Sequence, residues 1–407
     1  MNKWKTDKLS NLCSKIGDGL HGTPEYVEDS GIYFINGNNL KNGWIEITQN
    51  TKSVSNEELQ NNFIPLNTNS LLLSINGTLG SMAFYRNEKV MLGKSSAYLN
   101  FKSEINKFYY YYFQLPSVQE YFFNVATGST IKNLSLKSIQ DFEVPVPEFN
   151  EWNGIASVLS ALDSKIELNN RINTELEAMA KTMYDYWFVQ FDFPDKNGKP
   201  YKTSGGKMVW NEELKREIPE GWEALKLSSK FTFEKGIEPG SAEYVEQKES
   251  IYHVNFIRVG DVDGSSAIFI DTRQKNYSMV LERDVLVTFD GSVGKVAFGL
   301  EGAYSGGLRK IYDNSGVIDN SVIYYIFKDE RIIRTIHKYA TGSILLHAGS
   351  SINILTIPYN EIRYLEYQNI IKSSYNKMVM NKKENRRLTE LRDWLLPMLM
   401  NGQVKIN

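Results

Sequence analysis

The sequence predicts an α+β protein: two mixed α/β domains separated by a long antiparallel two-helix coiled coil, with a pseudo-twofold internal repeat. Three observations predict it. An apolar seam of helical spacing runs from Ile155 to Trp187. A second seam on the same plan lies 212 residues later. The short strands and turns ahead of each seam match one another in order. The expected boundaries are 1–149 for the first domain, 150–193 for the first rod, 194–221 for a connector, 222–358 for the second domain and 359–407 for the second rod.

The first seam is Ile155, Leu159, Leu162, Ile166, Asn169, Asn173, Leu176, Ala180, Met183 and Trp187, spaced alternately four and three apart. That is the coiled-coil period. Asn150 is the expected N-cap and Pro194 the expected stop. At 1.5 Å per residue the seam makes a rod of roughly 50 Å. Adding 212 gives Tyr367, Ile371, Ser374, Met378, Asn381, Asn385, Leu388, Arg392, Leu395 and Leu399. Asparagine recurs at both central positions. A seam Asn costs stability unless its amide finds a partner, so facing pairs fix register and direction. With the rods antiparallel and the asparagines crossing, partner numbers sum to 554. Asn169 then meets Asn385, Asn173 meets Asn381, Ile166 meets Leu388, Leu176 meets Met378 and Leu159 meets Leu395. A parallel pairing also aligns the asparagines but needs both domains at one end. Two unrelated amphipathic helices, each packed on its own domain, is the simpler alternative.

A chain of 407 residues accommodates two or three domains with cores of their own. No run has the length of a transmembrane helix and no signal peptide is visible, so no membrane is expected and the cytoplasm is the default compartment. Cys13 is the only cysteine, which excludes a disulfide framework and a cysteine zinc site. Net charge is −2. Residues 1–150 carry 13 Lys+Arg against 14 Asp+Glu, a net of −1, and residues 222–358 carry 15 against 17, a net of −2. A nucleic-acid partner would therefore need basic residues gathered on one face, or help from other subunits.

Along the chain, 31–35, 70–75 and 81–85 read as strands between Gly/Asn turns such as Asn76-Gly77. Asn106 to Asn124 reads as one helix, its four-tyrosine run divided between a buried and an exposed side. The pattern returns later. Trp4, Leu9 and Glu25-Tyr26-Val27 match Trp222, Leu227 and Glu243-Tyr244-Val245 at an offset of 218. LLLSINGTLGSMAF (71–84) matches VLVTFDGSVGKVAF (285–298), and Ala126-Thr-Gly-Ser129 matches Ala340-Thr-Gly-Ser343, both at 214. One ancestral domain plus rod is present twice. The connector DKNGKPYKTSGGKMVWNEELKREIPE (195–220) reads as a partly docked surface segment.

Several motifs fail on context. Gly17-Asp-Gly19-Leu-His-Gly22 fits GxGxxG, but no long helix follows it. There is no GxxxxGK[ST], and no Asn-Pro or Asp-Pro dipeptide of the kind amino-methyltransferases use. His21, His253, His337 and His347 lack metal-ligand spacing, and Glu246-Gln-Lys248 has no upstream acidic partner. No catalytic residue, metal ligand or bound cofactor is expected of this chain.

MAKTMYDYWFVQFDFP (179–194), with NGKPYKTSGGKMVWNEELKREIPEGWE (197–223) and LTELRDWLLPMLMNG (388–402), resembles the specificity subunits of type I restriction–modification enzymes. The resemblance covers essentially the whole chain. It implies two target-recognition domains, a central and a distal helix, and sequence-specific binding of double-stranded DNA at a bipartite, asymmetric target. It also implies two methylation subunits, which use S-adenosylmethionine, and motor–nuclease restriction subunits, which use ATP. A self-sufficient enzyme with an unrecognised site, and an assembly scaffold that reads no DNA, remain as alternatives.

If the chain reads DNA, polar side chains on turns between strands are the candidates. In the first domain these are His21, Thr23, Asn36, Asn38, Lys94, Ser95, Ser96, Thr127, Ser129 and Lys132. In the second they are Ser241, Arg258, Ser305, Arg309, Lys310, Thr341, Ser343 and His347. The repeated Ala-Thr-Gly-Ser loop suits a backbone contact or a structural role. The Lys94 region and Arg309 differ between the copies and suit base reading. Tyr184, Tyr186 and Phe188 crowd the end of the first rod and are candidates for partner contact.

Overall fold

A computed structural model describes residues 4–264, 266, 268–342 and 346–404. The chain divides into two compact units, 1–165 with 388–407, and 166–387. Each long helix is therefore shared between the units. The first spans Phe149–Tyr184 and closes in a π-helical turn, Asp185–Val189; the second spans Glu361–Met400.

The first unit begins with the strand Lys5–Lys8, paired antiparallel with Glu143–Val146. Beyond it lies an antiparallel sheet in the order Cys13–Asp18, Ser96–Phe101, Ser70–Ser74, Met82–Phe84. Ser70–Ser74 is buried on both faces, as an internal strand with cover above and below must be. A second sheet, in the order Val90–Leu92, Tyr33–Ile35, Ser53–Val54, Tyr26–Val27, packs beside it. The helix expected over 106–124 is two, Asn106–Tyr112 and Pro116–Val125. Pro116 lacks an amide hydrogen and opposes helical geometry at Leu115, so it starts the second helix and ends the first. Tyr109, Tyr110 and Tyr111 are all buried. The Tyr109 hydroxyl donates to the Pro145 carbonyl (2.8 Å) and that of Tyr111 to Asp163 (2.6 Å), so this run is core. Trp152, Ile155 and Leu159 of the first long helix join the same core as Leu396 and Leu399 of the second, with Leu395 packed against it.

The second unit repeats this order. Glu223–Lys226 pairs with Thr356–Tyr359, and the main sheet runs Phe231–Lys235, Leu308–Asp313, Val285–Thr288, Val296–Ala297. Helices Asn320–Phe327 and Glu330–Lys338 take the places of the earlier pair. The repeat read from sequence is thus a repeat of topology. In this unit the long helices run antiparallel. Asn169 donates to Asn385 (2.9 Å) and Glu384 (2.8 Å), and Asn381 donates to Asn173 (2.8 Å). Both asparagine pairs sum to 554. Leu176 packs on the core that contains Met378. Ile166 and Leu388 fall in different units.

The connector folds into a hairpin, Met208–Asn211 against Arg216–Pro219, with Ile218 buried. Asp192 anchors its start by accepting from the Thr203 amide and hydroxyl (2.7 Å each). Among the described residues no helix is long and apolar enough to cross a membrane.

Candidate functional site

In the first unit five loops are laced along one edge by main-chain hydrogen bonds. Leu20 N–H donates to Leu92 O (2.8 Å), Gly93 N–H to Ile35 O (2.8 Å), Ile75 N–H to Ser95 O (3.0 Å) and Leu134 N–H to Ile75 O (2.9 Å). Thr127 and Asn133 exchange a pair (3.0 and 2.7 Å). The glycines of the GxGxxG match serve this edge. A Cβ on Gly19 would lie 2.0 Å from Leu92 O, and one on Gly17 would strike Tyr98.

The second unit repeats the lacing bond for bond. Ile237 N–H donates to Tyr304 O (3.0 Å), Ser305 N–H to Ile257 O (2.9 Å), Phe289 N–H to Gly307 O (2.9 Å) and Ala348 N–H to Phe289 O (2.7 Å). Thr341 and His347 exchange a pair (2.9 and 2.7 Å). Gly236 takes the part of Gly19, its would-be Cβ 2.2 Å from Ser305 O. Loops that are otherwise soft are thereby fixed to rigid sheets, the usual way a fold presents recognition residues.

The expected side chains divide on this edge. His21, Thr23, Asn38, Lys94, Thr127 and Ser129 are exposed, as are Ser241, Arg258, Thr341 and His347. His21 sits 2.8 Å from Asp18. Lys132 is half-buried, its ammonium 4.8 Å from the Phe123 ring centroid. Ser343 lies outside the described residues.

Other expectations are corrected. Ser96 is fully buried at the start of an inner strand, and Ser305 is buried beneath its loop, so neither reaches a groove. Asn36 and Ser95 are half-buried and spent on each other. The Ser95 hydroxyl donates to Asn36 Oδ1 and accepts the Gly37 amide (2.9 Å each). Arg309, expected to read bases, is buried, and its guanidinium donates to the carbonyls of Gly306 (2.7 Å) and Leu308 (2.9 Å). It braces the loop from below. Burial lowers its pKa, opposed by the charge of Asp290. Lys310 lies within a strand, matched by Glu234 (2.8 Å) and bonded to Met279 O (2.9 Å). Tyr184 and Phe188 are fully buried among Tyr364, Tyr367 and, for Phe188, Trp222, and so pack the core. Tyr186 is 38% exposed and remains available for partner contact.

Sequence reasoning missed Asn76, Asn133 and Asp290. Asn76 bridges to Asn133, and Asp290 bridges to His347, at equivalent points of the two edges. The signal was in the repeated NGTLG and DGSVG, whose first and last glycines adopt left-handed φ in both copies (77° and 84°; 69° and 82°). Only a sharply turned loop needs glycine there twice.

Many cations near the second edge already hold anions. Arg258 meets Asp261 (3.1 Å), Lys275 meets Glu243 (3.3 Å), Lys295 meets Asp263, and Arg273 meets Asp271. Hydrogen bonds from Arg273 hold the Asp271 carboxyl at about 2. No group of three or more His, Cys, Asp or Glu among the described residues could hold a metal.

A sheet framework that presents one row of polar loops is built twice in this chain. Comparison with known proteins gives the family. Residues 1–178 match the model of the type I restriction modification DNA specificity domain. The MjaIX specificity subunit of Methanocaldococcus jannaschii is 26% identical over 321 residues, covering 74% of this chain and 70% of that protein. The HindI specificity subunit of Haemophilus influenzae is 24% identical over 356 residues, covering 70% and 74%. The crystal structure of a type I restriction–modification S subunit from M. genitalium has the same fold, with a TM-score of 0.60 at 18% identity over 98% of this chain and 97% of that one. Residues 1–178 thus match that specificity-domain family, and over most of its length the chain is similar to type I restriction enzyme specificity subunits.

Proposed function

We propose that this chain is the non-catalytic, DNA-reading subunit of a type I restriction–modification complex. Each laced edge reads one half of a bipartite, asymmetric target in double-stranded DNA. The carrying observation is the doubling itself: five equivalent main-chain hydrogen-bonded links on two edges, with different exposed side chains on each. A shared backbone supports a shared way of entering a groove, and unlike side chains support unlike half-sites. The paired long helices act as an antiparallel coiled coil that sets the spacing of the two recognition domains. Rods of roughly 50 Å suit half-sites about one turn of DNA apart.

The chain scaffolds two methylation subunits, which bring S-adenosylmethionine, and, where the system restricts, motor–nuclease subunits, which bring ATP. It acts in the cytoplasm. His21, Thr23, Asn38, Lys94, Thr127, Ser129, Lys132, Ser241, Arg258, Thr341 and His347 are the groove-facing set we retain, and Tyr186 the partner contact.

The test joins the chain to its cognate methylation subunit and maps methylated adenines. Exchange of residues 1–149 for another recognition domain should change one half of the methylated motif and leave the other. A change in both halves would refute two independent modules. Unchanged DNA mobility with the methylation subunits present would favour a pure scaffold.

A further inference from the structure

At equivalent points of the two edges the lacing holds together one exposed and one half-buried side chain from different loops. In the second unit they are His347 and Asp290. Their main chains bridge, and the imidazole Nδ1 lies 2.7 Å from Asp290 Oδ1. The side chains are 58% and 24% exposed, so both reach solvent while the pair is held in place from behind. Gly307 lies directly behind Asp290, where a Cβ would sit 3.3 Å from that of Asp290. In the first unit the same place holds Asn133 and Asn76, with Asn76 Nδ2 3.5 Å from Asn133 Oδ1. Backbone and location are common to both units; only the chemistry differs.

We propose that the His347–Asp290 pair is a base-reading element of the second half-site, selecting a base that offers an exocyclic amino group in the major groove. This rests on the DNA-reading function proposed above. An ionised carboxylate only accepts hydrogen bonds, so the shared proton sits on Nδ1 of His347. In the tautomer that carries its one ring proton on Nδ1, Nε2 is an acceptor, as is the second carboxylate oxygen. The pair thus presents acceptors. Adenine N6 and cytosine N4 are the major-groove donors that satisfy acceptors; guanine O6 and N7 and thymine O4 do not. The amide pair Asn76–Asn133 keeps both donors and acceptors free. That mixture matches the N6 and N7 of adenine, so the two edges read differently from the same place. A pair pre-organised by a cross-loop bond loses little entropy on contact, unlike a lone flexible lysine.

The experiment uses the full chain with its cognate methylation subunit and a library of DNA targets, reading out the methylated motif. Wild type should require adenine or cytosine at one fixed position of the second half. In His347→Ala and Asp290→Asn that requirement should relax by about tenfold to a hundredfold, with the first half of the motif unchanged. The bridge between residues 290 and 347 is main-chain, so both variants keep it. Should His347→Ala unfold early in a thermal melt, His347→Asn, which places the first unit's residue type there, takes over the test. Folded variants with unaltered discrimination at every position would overturn the assignment while leaving the bipartite reading intact. Wild type without any bipartite motif would sink both together.

Discussion

The asparagine pair at the centre of the helix seam can be tested quantitatively. Asn381 is 1% exposed, and its amide donates to Asn173 Oδ1 at 2.8 Å. Asn381→Ala removes that bond, worth about 1 kcal/mol net, and strands a half-buried acceptor at a further cost of about 1 kcal/mol. The expected loss is therefore about 2 kcal/mol. Asn173→Ala added to Asn381→Ala should cost less than it does alone, with a coupling energy of about 1 kcal/mol. Leucine at both positions is expected to be at least as stable as wild type, because an apolar pair removes both polar groups at once. It should also fix register less well, since an all-apolar seam tolerates a slip that paired amides forbid. Urea unfolding followed by far-ultraviolet circular dichroism measures wild type and all four variants. A coupling energy near zero would refute the view that the amides recognise each other.

Three further outcomes are expected. Burial would raise the Glu177 carboxyl, but the hydrogen bond from Tyr324 (2.7 Å) and the charge of Lys328 (3.0 Å) outweigh it and hold it below the usual range. The resulting stability is present above the unfolded pKa and is lost as pH falls through the depressed folded value. Glu177→Gln should therefore be less stable by about 1 kcal/mol near neutrality and should flatten the acid limb of a stability–pH curve; an unchanged curve would contradict it. Arg309→Met leaves the Gly306 and Leu308 carbonyls without their donor. It should cost about 2 kcal/mol in thermal unfolding and weaken second-half discrimination without touching the first. Gly19→Ala and Gly236→Ala should each cost about 2 kcal/mol or more, because the added methyl meets backbone that cannot yield; tolerance of either by thermal melt would refute the close approach.

The helices were legible because a seven-residue period is a local signal carried over many turns, and the paired asparagines added an absolute register. The repeat was legible for the same reason: it needs only comparison of the chain with itself. The edge was not. His347 and Asp290 are 57 residues apart, and nothing in either neighbourhood announces the other. Arg309 looks like a solvent-facing arginine until its strand is set inside a sheet, where its donors turn to carbonyls. Ser96 failed similarly, because the residue after a turn is as often the first buried residue of the next strand as the last exposed one. The domain boundaries drawn at 149/150 and 358/359 follow secondary structure, whereas compactness divides both helices, at 165/166 and 387/388. Residues such as Ile155 and Leu159 are seam by spacing and core by packing.

The division of the second long helix has a consequence for synthesis on the ribosome. Residues 166–387 are contiguous and complete as soon as residue 387 has emerged. The other unit, though begun earlier, lacks Leu396, Leu399 and Met400 of its interior until the stretch beyond residue 387 is made. It must therefore wait for that segment after the intervening unit is whole, with part of its apolar surface uncovered.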